Sequence, residues 1–115
     1  MALILVIDDQ DMVRFTVKRM LASKGHEVIE AASGDAGVAL CRAHGPALVV
    51  TDMIMPDKAG GETIQELRQS GSLAKILAIS GGADLDMATR LGADAVLEKP
   101  FRAEALLETV ARLIG

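Results

Sequence analysis

Five side chains in this sequence stand where chemistry could be done: Asp8, Asp9, Asp52, Ser80 and Lys99. Each follows a short apolar run. Ala2 to Ile7 leads into Asp8-Asp9, Ala47 to Val50 leads through Thr51 to Asp52, Lys75 to Ile79 ends at Ser80, and Ala95 to Leu97 leads through Glu98 to Lys99. Runs of this kind mark strands buried on both faces, as in a parallel sheet. The C-terminal ends of parallel strands lie on one edge, and ligands bind at that edge. Three carboxylates, a hydroxyl and an ammonium would converge there.

Clustered carboxylates repel one another and raise each other's pKa unless a cation sits among them. All-oxygen donors select a hard ion such as Mg²⁺. With the ion in place, Asp52 could act as a nucleophile towards phosphorus, Lys99 could pair with a phosphoryl oxygen, and the Ser80 hydroxyl could donate to another. Pro100 suits a fixed corner that aims Lys99, and is compatible with a cis bond. Taken singly, each residue has a plainer reading. Asp8 and Asp9 could cap a helix, Asp52 could cap a loop, Lys99 could be a solvated lysine, and Ser80 alone says almost nothing. The coincidence at four of five strand ends is what favours a site. A dinucleotide fold would need a Gly-rich turn after the first strand, but Asp8-Asp9-Gln10-Asp11 contains no glycine, and no G-x-x-x-x-G-K-[ST] occurs.

The elements between these residues are legible. Val13, Val17, Met20 and Leu21 form one face of a first helix, closed by Ser23-Lys24-Gly25. Glu27 to Ala31 is the second strand. Ser33-Gly34-Asp35 opens a second helix, with Ala36, Leu40 and Ala43 expected on its inner side, and His44-Gly45-Pro46 breaks it. Met53 to Ala59 follows the third strand as a loop, and Gly60-Gly61-Glu62 opens a third helix with Ile64 and Leu67 inward. Asp84 to Leu91 is a short fourth helix, and Arg102 to Ile114 a fifth, with Leu106, Val110, Leu113 and Ile114 on one face. Five alternations of strand and helix imply an α/β fold: a doubly wound, five-stranded parallel sheet with right-handed crossovers.

The chain has 115 residues, half of them apolar, which fits one domain over residues 1–115. No apolar run approaches a membrane span, and the N-terminus lacks the basic region and cleavage site of a signal peptide. The formal net charge is −4, with no Trp or Tyr and two Phe. That argues against direct nucleic-acid binding, which needs clustered cations or stacking aromatics. Cys41 is the one cysteine, expected small and partly buried, so a reducing cytoplasm is the default. His26 and His44 are isolated and read as surface or loop residues.

With these residues placed, the chain resembles a response-regulator receiver domain of two-component signalling, the CheY-like family. Asp8-Asp9, Asp52-x-x-Met55-Pro56-x-x-x-Gly60, Ser80-Gly81 and Lys99-Pro100-Phe101 carry the resemblance, and they cover the whole chain in order. It implies a flavodoxin-like (βα)5 fold with strand order 2-1-3-4-5. It implies that Asp52 accepts a phosphoryl group from a sensor histidine kinase or histidine phosphotransfer protein. Mg²⁺ would be the cofactor, bound by Asp8, Asp9, Asp52 and the Ile54 carbonyl. Ser80 and Lys99 would sense the phosphoryl group, and the face of the fourth helix, fifth strand and fifth helix would pass the change to a downstream protein or output domain. Such a chain is a switch that assists its own phosphorylation and dephosphorylation, not a true enzyme, and is either stand-alone or excised from a larger protein.

Three departures stand out. Val96 occupies a place where the family often carries an aromatic switch residue. The stretch from Ser80 to Lys99 is short by about one helical turn, so the fourth helix is expected to be abbreviated. Ala59 stands where an Asp or Asn often precedes the loop glycine. Two other functions fit less well. A Mg²⁺-dependent phosphatase of the haloacid-dehalogenase type resembles D-x-D-x-T, which Asp52-Met53-Ile54 does not match. A silent partner-binding module would not require the acidic residues. Leu107, off the core stripe of the last helix, is a weak hint of a protein contact.

Overall fold

A computed structural model of the chain describes residues 1–55, 60–81 and 85–115. Strands and helices alternate: β1 (Leu3–Ile7), α1 (Asp11–Ala22), β2 (Glu27–Ala31), α2 (Gly34–His44), β3 (Leu48–Asp52), α3 (Gly60–Gln69), β4 (Lys75–Ser80), α4 (Leu85–Leu91), β5 (Ala95–Glu98) and α5 (Ala103–Ile114). All strand pairings are parallel, in the order β2-β1-β3-β4-β5. The expected doubly wound sheet and its strand order are both present.

Side chains of a strand alternate between its two faces, and here both faces are covered. Leu5 and Ile7 of β1, Val49 of β3, and Ile76 and Ala78 of β4 join a core with Val38 and Cys41 of α2, Ile64 and Leu67 of α3, and Ala88 of α4. The alternate residues Ile4, Val6, Leu48, Val50, Leu77 and Ile79 join a second core with Val17 and Leu21 of α1, and Leu106 and Val110 of α5. Continuous apolar runs are therefore required in the inner strands, since neither face meets water.

The inner face of α2 differs in part from expectation: Leu40 packs against the core, but the two alanines do not. Ala36 and Ala43 are exposed and Leu40 is only half-buried, while Gly34, Gly37, Val38 and Cys41 face inward. Gly37 explains the rotation. A Cβ there would lie 2.3 Å from Ile7 Cδ1 and 2.7 Å from Ile7 Cγ1, so the absence of a side chain lets the helix settle closely on β1. Counting apolar side chains cannot see this, because the residue that faces the sheet has none. Ser33 caps the helix by accepting the Ala36 N–H at 3.1 Å, and Gly45 ends it in the left-handed region at φ 57°.

The helix faces expected of α1, α3 and α5 are as the sequence implies, with Val17, Leu21, Ile64, Leu67, Leu106 and Val110 buried. Cys41 is buried, His44 exposed and His26 half-buried, its Nδ1 accepting the Ala2 N–H at 3.1 Å. Helix α4 is short, at seven residues. The expected start at Asp84 and the expected loop residues Pro56 to Ala59 lie outside the described residues. No helix of the described residues is long and apolar enough to cross a membrane.

The N-terminal edge of the sheet is closed by one arginine. Arg68 of α3 donates to Ala74 O (2.8 Å), to Gly92 O (3.1 and 2.8 Å) and to Asp94 Oδ2 (2.7 Å). Asp94 Oδ2 also accepts the Ile76 N–H at 2.8 Å. One guanidinium fork thus ties α3 to the α3–β4 loop and to the turn between α4 and β5.

The packing at Gly37 is directly testable. Gly37→Val should destabilise the fold by about 1–3 kcal/mol through overpacking. Ile7→Ala should cost less in the Gly37→Val background than in wild type, because the two residues share one space. Urea unfolding of the two single variants and the double variant measures this; strictly additive losses would contradict it.

Candidate functional site

The strand register sets the site. Ile7 is level with Thr51, and Asp52 with Ile79, so Asp8 follows β1 at the height of Asp52 on the neighbouring strand. Ser80 is level with Glu98, which puts Lys99 one residue further along beside it. The Lys99 N–H donates to the Ser80 carbonyl at 2.8 Å, continuing the β4–β5 ladder into the loop. The Lys99–Pro100 bond is cis.

One carboxylate oxygen from each of Asp8, Asp9 and Asp52 lies within 4.8 Å of the others. Asp8 and Asp52 are buried, at 4% and 6% exposure, and Ser80 is at 1%. Lys99 Nζ stands 3.5 Å from Asp52 Oδ2 and 3.8 Å from Asp8 Oδ2. The two carboxylates share this cation from one side. Their other oxygens are held by backbone: Asp8 Oδ1 accepts the Gln10 N–H at 2.9 Å, and Asp52 Oδ1 the Ile54 N–H at 3.4 Å. Ile54 itself is exposed. The structure therefore gathers Asp8, Asp9, Asp52 and Lys99, with Ser80 buried at the adjacent strand end and Ile54 in the loop that follows Asp52.

The plainer reading, that Asp8 or Asp9 caps the first helix, does not hold: the N-cap residue of α1 is Gln10, and no side chain caps that end. The Asp8 carboxylate instead takes the N–H of Gln10, which shapes the turn before the helix. Burial pushes the Asp8 carboxyl above the ordinary carboxylate value; the Gln10 N–H opposes this, the negative charge of Asp52 adds to it, Lys99 opposes it and Asp9 adds to it.

The donor set fits a divalent cation. Three carboxylate oxygens from two adjacent strand ends form an all-oxygen group of the kind hard ions prefer. The upward push on Asp8 comes from burial and from like charges, and a bound cation counters both by neutralising the cluster.

Sequence reasoning did not single out Arg14 and Glu30. Arg14 donates to the Asp8 carbonyl at 2.8 Å, to Asp11 Oδ1 at 2.7 Å and to Glu30 Oε1 at 3.2 Å. Lys18 Nζ reaches Glu30 Oε2 at 3.1 Å. The Asp11–Arg14 spacing of three residues on a helix was an available signal. The link to Glu30 on β2 was not, since it depends on how α1 lies against the sheet.

Comparison with known proteins bears on this geometry. A profile of the response regulator receiver domain matches residues 4–111. Chemotaxis protein CheY of Bacillus subtilis strain 168 is 32% identical over 116 residues, covering 97% of both chains. Transcriptional regulatory protein AfsQ1 of Streptomyces coelicolor is 34% identical over 90% of this chain, which spans 47% of that protein. Among solved structures, chemotaxis response regulator CheY4 of Vibrio cholerae superposes with a TM-score of 0.93 at 28% identity, covering 99% of each chain.

The state of Asp8 gives a pH signature. Its carboxyl titrates higher in the folded than in the unfolded chain, so the folded state binds more protons above the ordinary value of 3.8. Its contribution to stability therefore falls as pH rises through that window, and the cost is fully present above the folded value. In a chelating buffer, Asp8→Asn, which keeps an oxygen for the Gln10 N–H, should melt higher than wild type at pH 7. The gap should close as pH falls towards 4. Paired thermal melts across pH check this; a gap that widened on acidification would contradict the sign.

Proposed function

This chain belongs to the response regulator receiver domain family of two-component signalling, and on that premise we propose that it is a phosphorylation-dependent switch whose phosphoacceptor is Asp52. The observation that carries the reading is the Asp52 carboxylate itself. It is buried at the tip of β3, with Lys99 Nζ at 3.5 Å and the Asp8 and Asp9 carboxylates within 4.8 Å. A nucleophile, a cation beside it and an acidic pair for a metal stand together at one sheet edge.

In the proposed reaction a carboxylate oxygen of Asp52 gives an electron pair to the phosphorus of a phosphohistidine on a sensor kinase or phosphotransfer protein. The P–N bond breaks, the imidazole leaves with that bond's electron pair, and an acyl phosphate forms on Asp52. Mg²⁺, held by Asp8, Asp9, Asp52 and the Ile54 carbonyl, would neutralise charge on the phosphoryl group. Lys99 is already paired with Asp52 and can move to a phosphoryl oxygen when the carboxylate charge is consumed. The Ser80 hydroxyl donates to another. Water attack on phosphorus returns the carboxylate and free phosphate. The chain is thus a switch that is reset, and not an enzyme turning over an external substrate.

The output proposed is the face made by α4, β5 and α5, which would bind a downstream protein or output domain. Ser80 ends β4, beside β5, so its movement towards the phosphoryl group would strain that face. The place where the family often carries an aromatic switch residue holds Val96. Val96 packs, half-buried, against the core that includes Ala88 of α4. The change would pass through small side chains and the short α4.

Intact mass after incubation with Mg²⁺ and a small acyl-phosphate donor tests the reading. Wild type should gain one phosphoryl group, a chelator should prevent it, and Asp52→Asn should gain none. An adduct of normal rate on Asp52→Asn would refute the assignment, and multiple turnovers of a simple phosphate ester by wild type would point to a phosphatase. Lys99→Ala should still bind Mg²⁺ by calorimetry while phosphorylation no longer changes the amide NMR shifts of α4 and β5. Loss of Mg²⁺ binding in that variant would count against separate roles for Lys99 and the carboxylates.

A further inference from the structure

We propose that Arg14 is a positioning residue for the acidic site, acting through the backbone of Asp8 and Asp9. The inference rests on the receiver reading for the claim that these carboxylates bind a divalent cation. Its own basis is the guanidinium geometry.

Arg14 Nη1 donates to the Asp8 carbonyl at 2.8 Å, Nη2 to Asp11 Oδ1 at 2.7 Å, and Nε to Glu30 Oε1 at 3.2 Å. These acceptors come from three places: the turn after β1, the first turn of α1, and β2. A rigid planar fork with separate donors suits this task, and a lysine with one nitrogen cannot reproduce it. The side chain is only 16% exposed, and its bonds to the Asp8 carbonyl and to Glu30 are partly sheltered from water, while the bond to Asp11 lies at the surface. The anchor is itself braced, because Lys18 holds the second oxygen of Glu30 at 3.1 Å. Two cations and two carboxylates balance in this group, so no net charge is added near the site.

The Asp8 carbonyl and the Asp9 N–H belong to one planar peptide unit. Gripping that carbonyl fixes the plane from which the Asp9 side chain springs. Asp8 has further ties, through its N–H to Ala31 O at 3.1 Å and its Oδ1 from the Gln10 N–H at 2.9 Å. Among the described residues the Asp9 carboxylate has no side-chain hydrogen bond or ion pair of its own. Its placement depends on the backbone that Arg14 holds. A role confined to tying β2 to α1 would need only the Asp11 and Glu30 contacts; the bond to the Asp8 carbonyl reaches the site.

The test titrates Mg²⁺ into the full chain by calorimetry, with no phosphodonor. Arg14→Met should weaken the Mg²⁺ Kd about 10- to 100-fold, the range seen when the outer support of a metal ligand is removed. Arg14→Lys, the more conservative variant, should show a smaller loss in the same direction. Arg68→Lys is the matched control, since it disturbs a comparable arginine fork at the opposite edge of the sheet. It should lower Tm and leave the Mg²⁺ Kd unchanged. At saturating Mg²⁺ the phosphorylation rate of Arg14→Lys should return to near wild type, which a general loss of fold would not allow. The proposal is overturned if both Arg14 variants bind Mg²⁺ as wild type does, or if Arg68→Lys loses as much affinity as Arg14→Lys. Wild type failing to bind Mg²⁺ would overturn it together with the receiver reading. Wild type that binds Mg²⁺ and is phosphorylated on Asp52, with unchanged Arg14 variants, would overturn the Arg14 role alone.

Discussion

Like charges brought to one sheet edge are the constraint on which this structure turns. A parallel sheet ends all its strands at the same height, so carboxylates placed after β1 and β3 must meet. In water they would drift apart. Here the strands that carry them are locked by two apolar cores, one on each face. The fold holds together what electrostatics would separate, and Lys99 offsets only part of the repulsion. A site kept short of positive charge in this way is compatible with binding a metal cation.

The rest of the molecule shows how that edge is kept in order. Backbone N–H groups of Gln10 and Ile54 each hold one oxygen of a buried carboxylate, leaving the other oxygen turned to Lys99. The Asp8 carbonyl is gripped from behind by Arg14. No group of the cluster is placed by its own side chain alone, and an error in the β1–α1 turn would reach two of the three carboxylates.

Much of this was legible in the sequence, for a physical reason. Inner strands buried on both faces must be apolar, and Asp8, Asp52 and Lys99, at or just past the ends of β1, β3 and β5, mark where those runs stop. That fixed the strands, their alternation with helices and the residues at the shared edge. The strand order was not readable from apolar runs and came through the resemblance. The face of α2 was partly misjudged because Gly37 does its packing by lacking a side chain. Arg14 and Arg68 escaped notice because a surface arginine in a sequence gives no sign of what its fork will reach. Their partners, Glu30 for one and Gly92 and Asp94 for the other, are 16, 24 and 26 residues away along the chain. Contacts of that kind are properties of the assembled sheet, and periodicity carries no information about them.

The Arg68 fork also has a mechanical meaning. It fastens the Gly92 end of α4 to α3 and to the start of β5, while the other end of α4 faces the edge where Ser80 lies. Ala88, in the middle of α4, is fully buried in the core, so the helix is pinned at its centre as well as beyond its C-terminal end. With only seven residues it is about 10 Å long. Any shift of α4 that keeps both attachments is confined to the turn at Leu85, the end nearest the acidic edge.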